Sequence, residues 1–156
     1  MINNLIDILT IENIYLIANW GVIPFWLLLI IFPNQQITNF FSQSIIPILL
    51  LGGAYIFIAY DIIAKGTIFN SFELYLGLDE LYSVFSDESF LLIFWLHFLA
   101  LSLFIGGWVV RDSTKFMIPK FLVIISLIFT YFTGPLGLII YWFIRIFFSK
   151  RINFND

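Results

Sequence analysis

A single histidine lies in the middle of a long apolar segment of this 156-residue chain. His97 is flanked by Trp95, Leu96, Phe98 and Leu99. Ionisable groups inside a membrane segment are costly, so they usually pair with a partner or mark a functional site. Because histidine exchanges a proton near neutral pH, we predict His97 as the candidate catalytic residue. The alternative is a neutral imidazole that hydrogen-bonds a neighbouring helix.

The residue types exclude several other chemistries. The chain has no cysteine, which excludes a thiolate nucleophile and thiolate metal ligands. One histidine without cysteine would need several carboxylates to complete a metal site, so we expect no metal and no cofactor. No glycine-rich phosphate loop or nucleophile elbow occurs, and we expect no nucleic-acid partner.

Composition places most of the chain in a lipid bilayer. Hydrophobic residues make up 62% and charged residues 11%, against about 45–50% and about 25% in soluble domains. A span needs about 20 apolar residues to cross roughly 30 Å of hydrocarbon. We therefore predict an all-α, four-transmembrane-helix bundle, built as a single integral membrane domain over residues 1–156. The spans are expected at about residues 13–32, 45–64, 89–110 and 121–148.

The connections and ends of these spans carry further signals. No Lys or Arg precedes the first span, so we expect it to be a span and not a signal peptide. Residues 65–89 contain apolar side chains at helical spacing, which predicts a short amphipathic helix between spans 2 and 3. Residues 86–89 would cap span 3. A Gly134-Pro135 break divides span 4, and Arg145 near its end is predicted to snorkel to the interface.

The basic residues do not decide the orientation of a four-span chain. Four would lie on the face of the termini and three on the other face, which gives the positive-inside rule almost no asymmetry. The four are Lys65, Arg145, Lys150 and Arg151, and the three are Arg111, Lys115 and Lys120.

Four stretches of sequence together resemble a known family. They are residues 19–29 (NWGVIPFWLLL), 95–104 (WLHFLALSLF), 107–112 (GWVVRD) and 134–138 (GPLGL). Their order and spacing resemble the small membrane proteins called neoxanthin synthase-like, or abscisic-acid-deficient-four-like. The resemblance implies a multi-pass protein of a thylakoid-type or bacterial inner membrane that is linked to carotenoids. The plant members are required to convert violaxanthin to neoxanthin.

Within this resemblance we predict a set of residues that bind a carotenoid or similar polyene next to His97. The resemblance also implies two departures, because the family usually has aspartate where this chain has Ser102 and a basic residue where it has Gly107. A charge pair of the family would then be missing here. The predicted substrate-binding residues are Asn19, Trp26, Trp95, Ser102 and Gly134.

Three functions stay open at this point. The first is a cofactor-free isomerase of an epoxycarotenoid or similar isoprenoid, which needs a proton donor at oxygen and a base at carbon without net redox change. The second is a small accessory or pigment-binding subunit of a larger membrane complex of photosynthetic type. The third, a transporter or proton channel, has in its favour only His97, Asp61 and the broken fourth span.

Overall fold

All regular secondary structure in the described residues is helical. The computed structural model describes residues 10–33, 35–41 and 44–150, and no strand occurs within these ranges. A 3₁₀ helix, Ile68–Tyr75, lies between the third and fourth α-helices. The α-helices are α1 (Ile11–Ile31), α2 (Gln36–Phe41), α3 (Ile46–Ala64), α4 (Leu78–Phe85), α5 (Glu88–Lys115), α6 (Lys120–Thr133) and α7 (Pro135–Ser149).

Three of these helices are long and apolar enough to cross a membrane. They are α1, α3 and α5, with 21, 19 and 28 residues, and they match the first three predicted spans. The fourth predicted span, residues 121–148, is not one helix, because α6 and α7 have 14 and 15 residues and are separated at Gly134. The all-helical class is confirmed, whereas a fourth continuous span is not found.

Helix α5 begins where the sequence predicted and ends later. The carboxylate of Asp87 accepts hydrogen bonds from the backbone N–H groups of Ser89 and Phe90, at 2.9 and 3.2 Å. These bonds satisfy donors that the first turn of a helix leaves unpaired. The helix then continues past the predicted end at residue 110 to Lys115. Asp112 is therefore a helical residue and not part of a polar turn.

Two short helices lie in the connections. Helix α4 falls within the segment where an amphipathic helix was predicted, and it buries Val84 while Leu78 and Tyr82 are 79% and 78% exposed. Helix α2 was not predicted. The hydroxyl of Thr38, fully buried in this helix, donates to the backbone carbonyl of Phe32 at the end of the preceding segment. The hydroxyl of Thr38 thus anchors the connection between α1 and α3, which composition alone predicts to be a loop.

Helices α6 and α7 fold back on each other as a hairpin. The guanidinium carbon of Arg145 in α7 lies 4.7 Å from the ring centroid of Phe116, which precedes α6. In a continuous helix, Arg145 would lie roughly 35–40 Å beyond the start of α6, at about 1.5 Å per residue. The reversal occurs at Gly134, whose backbone has φ 60° and ψ −87°. Glycine adopts such a positive φ without steric cost.

The hairpin turn depends on a second glycine. A Cβ atom on Gly137 would overlap the backbone of Thr130, so the two helices approach as closely as their backbones allow. Pro135 occupies the first turn of α7, where its fixed φ fits the helix and its missing N–H would have had no partner. The Gly-Pro break that the sequence placed in span 4 is thus the turn of the hairpin.

Contacts along the chain group the residues into two compact units. Among the described residues, one unit comprises those up to Gly21 with Leu49–Leu99, and the other comprises those within Val22–Ile48 with those from Ala100 onward. The hairpin belongs entirely to the second unit. There, a Cβ on Gly106 of α5 would meet the ring of Trp26 of α1 at 2.8 Å. The prediction of a single membrane domain stays a prediction.

Replacing Gly137 with Ala tests the hairpin turn. The added methyl group overlaps the backbone of Thr130, so we expect the free energy of unfolding to fall by about 1–3 kcal/mol, the usual cost of overpacking. Gly53→Ala is the matched control, because a Cβ there meets nothing within 4 Å. The control should be neutral or stabilising by up to about 1 kcal/mol. Thermal unfolding in one detergent compares the two, and equal effects would contradict the tight turn.

Candidate functional site

The hairpin brings three polar side chains together inside the second unit. The Nε atom of Arg145 lies 2.7 Å from Oδ2 of Asp112, and the hydroxyl of Tyr141 donates to the same oxygen at 2.6 Å. Arg145 is 1% exposed and Tyr141 is fully buried. Asp112 comes from α5, whereas the other two come from α7. We call these three residues the polar cluster.

Aromatic rings enclose the charged end of the polar cluster. The guanidinium carbon of Arg145 lies 4.7 Å from the ring centroid of Phe116 and 4.9 Å from that of Trp142. The ring of Trp142 is stacked on Trp108, with centroids 6.2 Å apart, and Trp108 meets Tyr141 edge to face at 5.6 Å. Such faces attract a cation, more strongly when water is excluded. The positive charge is therefore held by a carboxylate and by ring faces.

The predicted snorkelling of Arg145 is wrong. Its side chain turns inward because Asp112 offers a charged partner there, and the hairpin brings the end of α7 to the end of α5. Tyr141 and Arg145 are four residues apart, so they share one face of a helix. That spacing, in a segment with no other charge after Lys120, was the signal in the sequence.

A groove in the second unit is a candidate ligand site. It runs between the start of α3 and the C-terminal half of α5 and encloses about 430 Å³, within the range of about 300–1,000 Å³ typical of small-molecule sites. Its lining is apolar except for Ser44 and Arg111. We call it the α3–α5 groove. Its lining residues are Ser44, Ile45, Ile48, Leu103, Phe104, Gly107 and Arg111.

The lining of the α3–α5 groove suits an amphiphile. A hydrocarbon chain or ring gains by contact with Ile48 and Phe104, because burial of apolar surface is favourable. An oxygen on the same molecule would find donors in the hydroxyl of Ser44 and the guanidinium of Arg111. Gly107 contributes no side chain, which leaves space in the lining. Arg111 directly precedes Asp112, so the polar cluster fixes the turn of helix that carries it.

Two of the predicted site residues meet in the first unit. The indole N–H of Trp95 donates to the side-chain oxygen of Asn19 at 3.0 Å, and the amide of Asn19 donates to the carbonyl of Tyr15 at 2.8 Å. Trp95 and Tyr15 also line a cleft of about 430 Å³, with Glu12 and Glu88 at its edge. The partner that Asn19 requires inside a span is thus Trp95. Their predicted role in binding substrate remains a prediction.

Three other predicted site residues lie in the second unit. Trp26 is 3% exposed and meets Tyr131 edge to face at 5.5 Å, beside an apolar cleft of about 230 Å³. Gly134 forms the turn of the hairpin, and Ser102 is buried within α5. A structural reason therefore accounts for Trp26 and Gly134 whether or not a substrate contacts them.

His97 is on an exposed face of α5. It follows Trp95 by two residues, so the two side chains point to nearly opposite sides of the helix. Within the described residues the imidazole makes no hydrogen bond to another side chain or to the backbone. Among those residues no group of three His, Cys, Asp or Glu side chains lies close enough to hold a metal ion. His97 thus lies on the surface of the described part of the protein, and its predicted catalytic role stays a prediction.

Comparison with known proteins gives one family. A family model described as ABA DEFICIENT 4-like matches residues 13–141. Protein ABA DEFICIENT 4, chloroplastic, from Arabidopsis thaliana is 27% identical over 107 residues, which cover 67% of this chain and 49% of that protein. This chain thus spans about half the length of the curated relative that it matches. No solved structure matches.

Replacing the charged members of the polar cluster tests its contribution to stability. We expect Asp112→Asn and Arg145→Gln each to lower the free energy of unfolding by about 3–5 kcal/mol, because each leaves a buried charge without its partner. The double variant should lose clearly less than the sum of the two. Chemical unfolding in detergent, analysed as a double-mutant cycle, gives the coupling.

An exposed ion pair of the same chain is the control for this cycle. Lys65 and Asp61 lie 2.6 Å apart, with side chains 54% and 38% exposed. We expect Lys65→Gln to cost only about 0.2–1 kcal/mol, since solvent screens such pairs. Additive losses at Asp112 and Arg145, no larger than that of Lys65→Gln, would mean that their pair does not stabilise the fold.

Proposed function

Because this chain belongs to the ABA DEFICIENT 4-like family, as its sequence motifs predicted, we propose that it binds an oxygenated carotenoid or similar isoprenoid in the membrane and isomerises it. The three long apolar helices make it a membrane protein. The family links it to carotenoids. The isomerisation, its substrate and a bacterial inner membrane or thylakoid-type location are parts of the proposal.

The observation that carries the proposal is the amphiphilic lining of the α3–α5 groove. An oxygenated carotenoid has a ring with hydroxyl or epoxide oxygens at the end of a long hydrocarbon chain. The groove offers Arg111 and Ser44 for the oxygens, whereas Ile45, Leu103 and Phe104 suit the hydrocarbon. An oxygen of the ligand gains hydrogen bonds from these groups that a pure hydrocarbon does not gain, so we expect the groove to favour oxygenated ligands.

Opening an epoxide to an allenic alcohol requires two proton transfers. The epoxide C–O bond breaks, the oxygen gains a proton, and a neighbouring carbon loses one, so no electrons enter or leave. Arg111 stabilises the developing negative charge on oxygen by hydrogen bonding, but it stays protonated and does not act as the base. Oδ2 of Asp112 already accepts bonds from Arg145 and Tyr141. His97 precedes Arg111 by 14 residues, which is about 21 Å along a helix at about 1.5 Å per residue. The proposed proton exchange at His97 is therefore a hypothesis separate from the stabilisation of an oxygen by Arg111.

A second function is favoured by exposed aromatic side chains in the first unit. Phe69, Phe72 and Tyr75 of the 3₁₀ helix are 74%, 68% and 87% exposed. Contiguous apolar surface of this kind marks a contact with a membrane or with another protein. The second candidate is therefore a small pigment-binding or accessory subunit that attaches to a larger membrane complex through this segment.

Arg111→Gln tests the proposed ligand class. The variant removes the charged donor at an exposed position, so affinity for a hydroxylated or epoxidised carotenoid should fall roughly tenfold or more. Affinity for a pure hydrocarbon carotene should change little. Pigment titration of the detergent-purified protein, followed by absorption, measures both. An equal loss for the two pigments would show that Arg111 does not recognise the oxygen.

Gly107→Leu fills the same groove with a side chain. We expect pigment of either class to be lost from the purified protein, whereas Gly53→Leu, on an open face of α3, should retain it. Unchanged pigment in both variants would move the binding site away from the α3–α5 groove.

His97→Ala tests catalysis separately from binding. In cells that make an epoxycarotenoid, we expect the isomerised product to fall by about 10²–10⁴-fold, the usual contribution of a general acid or base, with bound pigment unchanged. Leu101→Ala, at another exposed position of α5, is the control. Chromatography of extracted pigments measures the product. Bound pigment without any product from the unaltered protein would favour the accessory-subunit function.

A further inference from the structure

We infer that α6 and α7 form a re-entrant hairpin, which enters and leaves the bilayer on one face, and that this face is the cytoplasmic one. The chain then crosses the membrane three times, through α1, α3 and α5, and its described ends lie on opposite faces. This inference concerns the path of the chain and does not depend on the proposed function.

The lengths of the two helices fit a partial passage. With 14 and 15 residues, α6 and α7 are each about 21–23 Å long at about 1.5 Å per residue. The hydrocarbon layer is about 30 Å thick. Neither helix crosses that distance alone, and the reversal at Gly134 prevents them from adding their lengths in one direction.

The open ends of the hairpin both lie at one end of the long helices. At the start of α6, the ammonium of Lys120 donates to the carbonyl of Ile31, the last residue of α1, at 2.6 Å. Near the end of α7, Arg145 pairs with Asp112, one turn before the end of α5. Both contacts lie within the second unit. The chain therefore leaves the hairpin on the side where it entered.

The turn of the hairpin has the chemistry of a segment inside hydrocarbon. No charged residue occurs between Lys120 and Arg145, and the turn exposes Phe132, which is 70% accessible. The backbone N–H of Gly134 bonds the carbonyl of Thr130 at 2.9 Å, and the hydroxyl of Thr133 bonds that of Phe129 at 2.7 Å. These two polar groups at the turn are thus satisfied internally, as hydrocarbon requires.

The hairpin changes the distribution of basic residues between the two membrane faces. Of the six lysines and arginines in the described residues, only Lys65 lies at the other ends of the spanning helices. Short connections rich in Lys and Arg stay in the cytoplasm, so the almost even division of a four-span path becomes a clear bias. The five on the hairpin face are Arg111, Lys115, Lys120, Arg145 and Lys150.

The experiment uses single-cysteine variants of the full chain, which has no cysteine of its own. Ser83→Cys reports the face of α4, Met117→Cys the connection before the hairpin, Lys150→Cys its exit, and Thr133→Cys its turn. All four positions are exposed. Bacterial spheroplasts that express each variant are treated with a membrane-impermeant maleimide, before and after permeabilisation.

We expect Ser83→Cys to react in intact spheroplasts, and Met117→Cys and Lys150→Cys to react only after permeabilisation. Thr133→Cys should not react from outside. A Lys150→Cys that reacts together with Ser83→Cys, and opposite to Met117→Cys, would restore four spans and overturn the hairpin. A Thr133→Cys that reacts in intact spheroplasts would show that α6 and α7 cross completely. Met117→Cys and Lys150→Cys that both react from outside would overturn the orientation.

Discussion

The ion pair between Asp112 and Arg145 is the contact on which the second unit depends. Two charges taken out of water lose several kcal/mol of solvation each, and only close geometry with further hydrogen bonds recovers it. Here Tyr141 supplies a second donor to the same oxygen, and the rings of Phe116 and Trp142 cover the guanidinium. Because Asp112 belongs to α5 and Arg145 to α7, the charges stabilise each other only when the hairpin is closed.

At the other end of the hairpin, the turn lets the backbones of α6 and α7 approach very closely. Gly134 adopts the positive φ of the turn, and Gly137 lets the two backbones come into contact. The hydroxyl of Thr130 donates a hydrogen bond to the carbonyl of Ser126 at 2.8 Å. Small residues allow close packing where lipid gives no hydrophobic drive between helices. The open end of the hairpin is thus held by the ion pair, and the turn is held by close packing of small residues.

The sequence predicted where the helices lie along the chain, but not that the chain reverses direction between α6 and α7. Hydropathy located α1, α3 and α5, the carboxylate of Asp87 marked the start of α5, and the Gly-Pro pair marked the break in the fourth segment. Hydropathy is averaged over a window, so the 28 residues 121–148 give the signal of one span whether the chain continues or reverses at Gly134. The burial of Arg145 follows from that reversal. Only two features of the sequence indicated the burial of Arg145. They are its four-residue spacing from Tyr141 and the presence of a carboxylate, Asp112, far away in the sequence.

In the proposed isomerase, the same geometry separates structural charges from reactive ones. A proton carrier must change its charge during the reaction, and a change at Asp112 or Arg145 would open the hairpin. Arg111, one residue away, points into the α3–α5 groove while the pair holds its helix in place. The ion pair therefore helps to position the α3–α5 groove without itself contacting a ligand there in the proposed function. A proton-exchanging residue has to lie outside the pair, and His97, exposed on α5, can change its charge without breaking a buried contact.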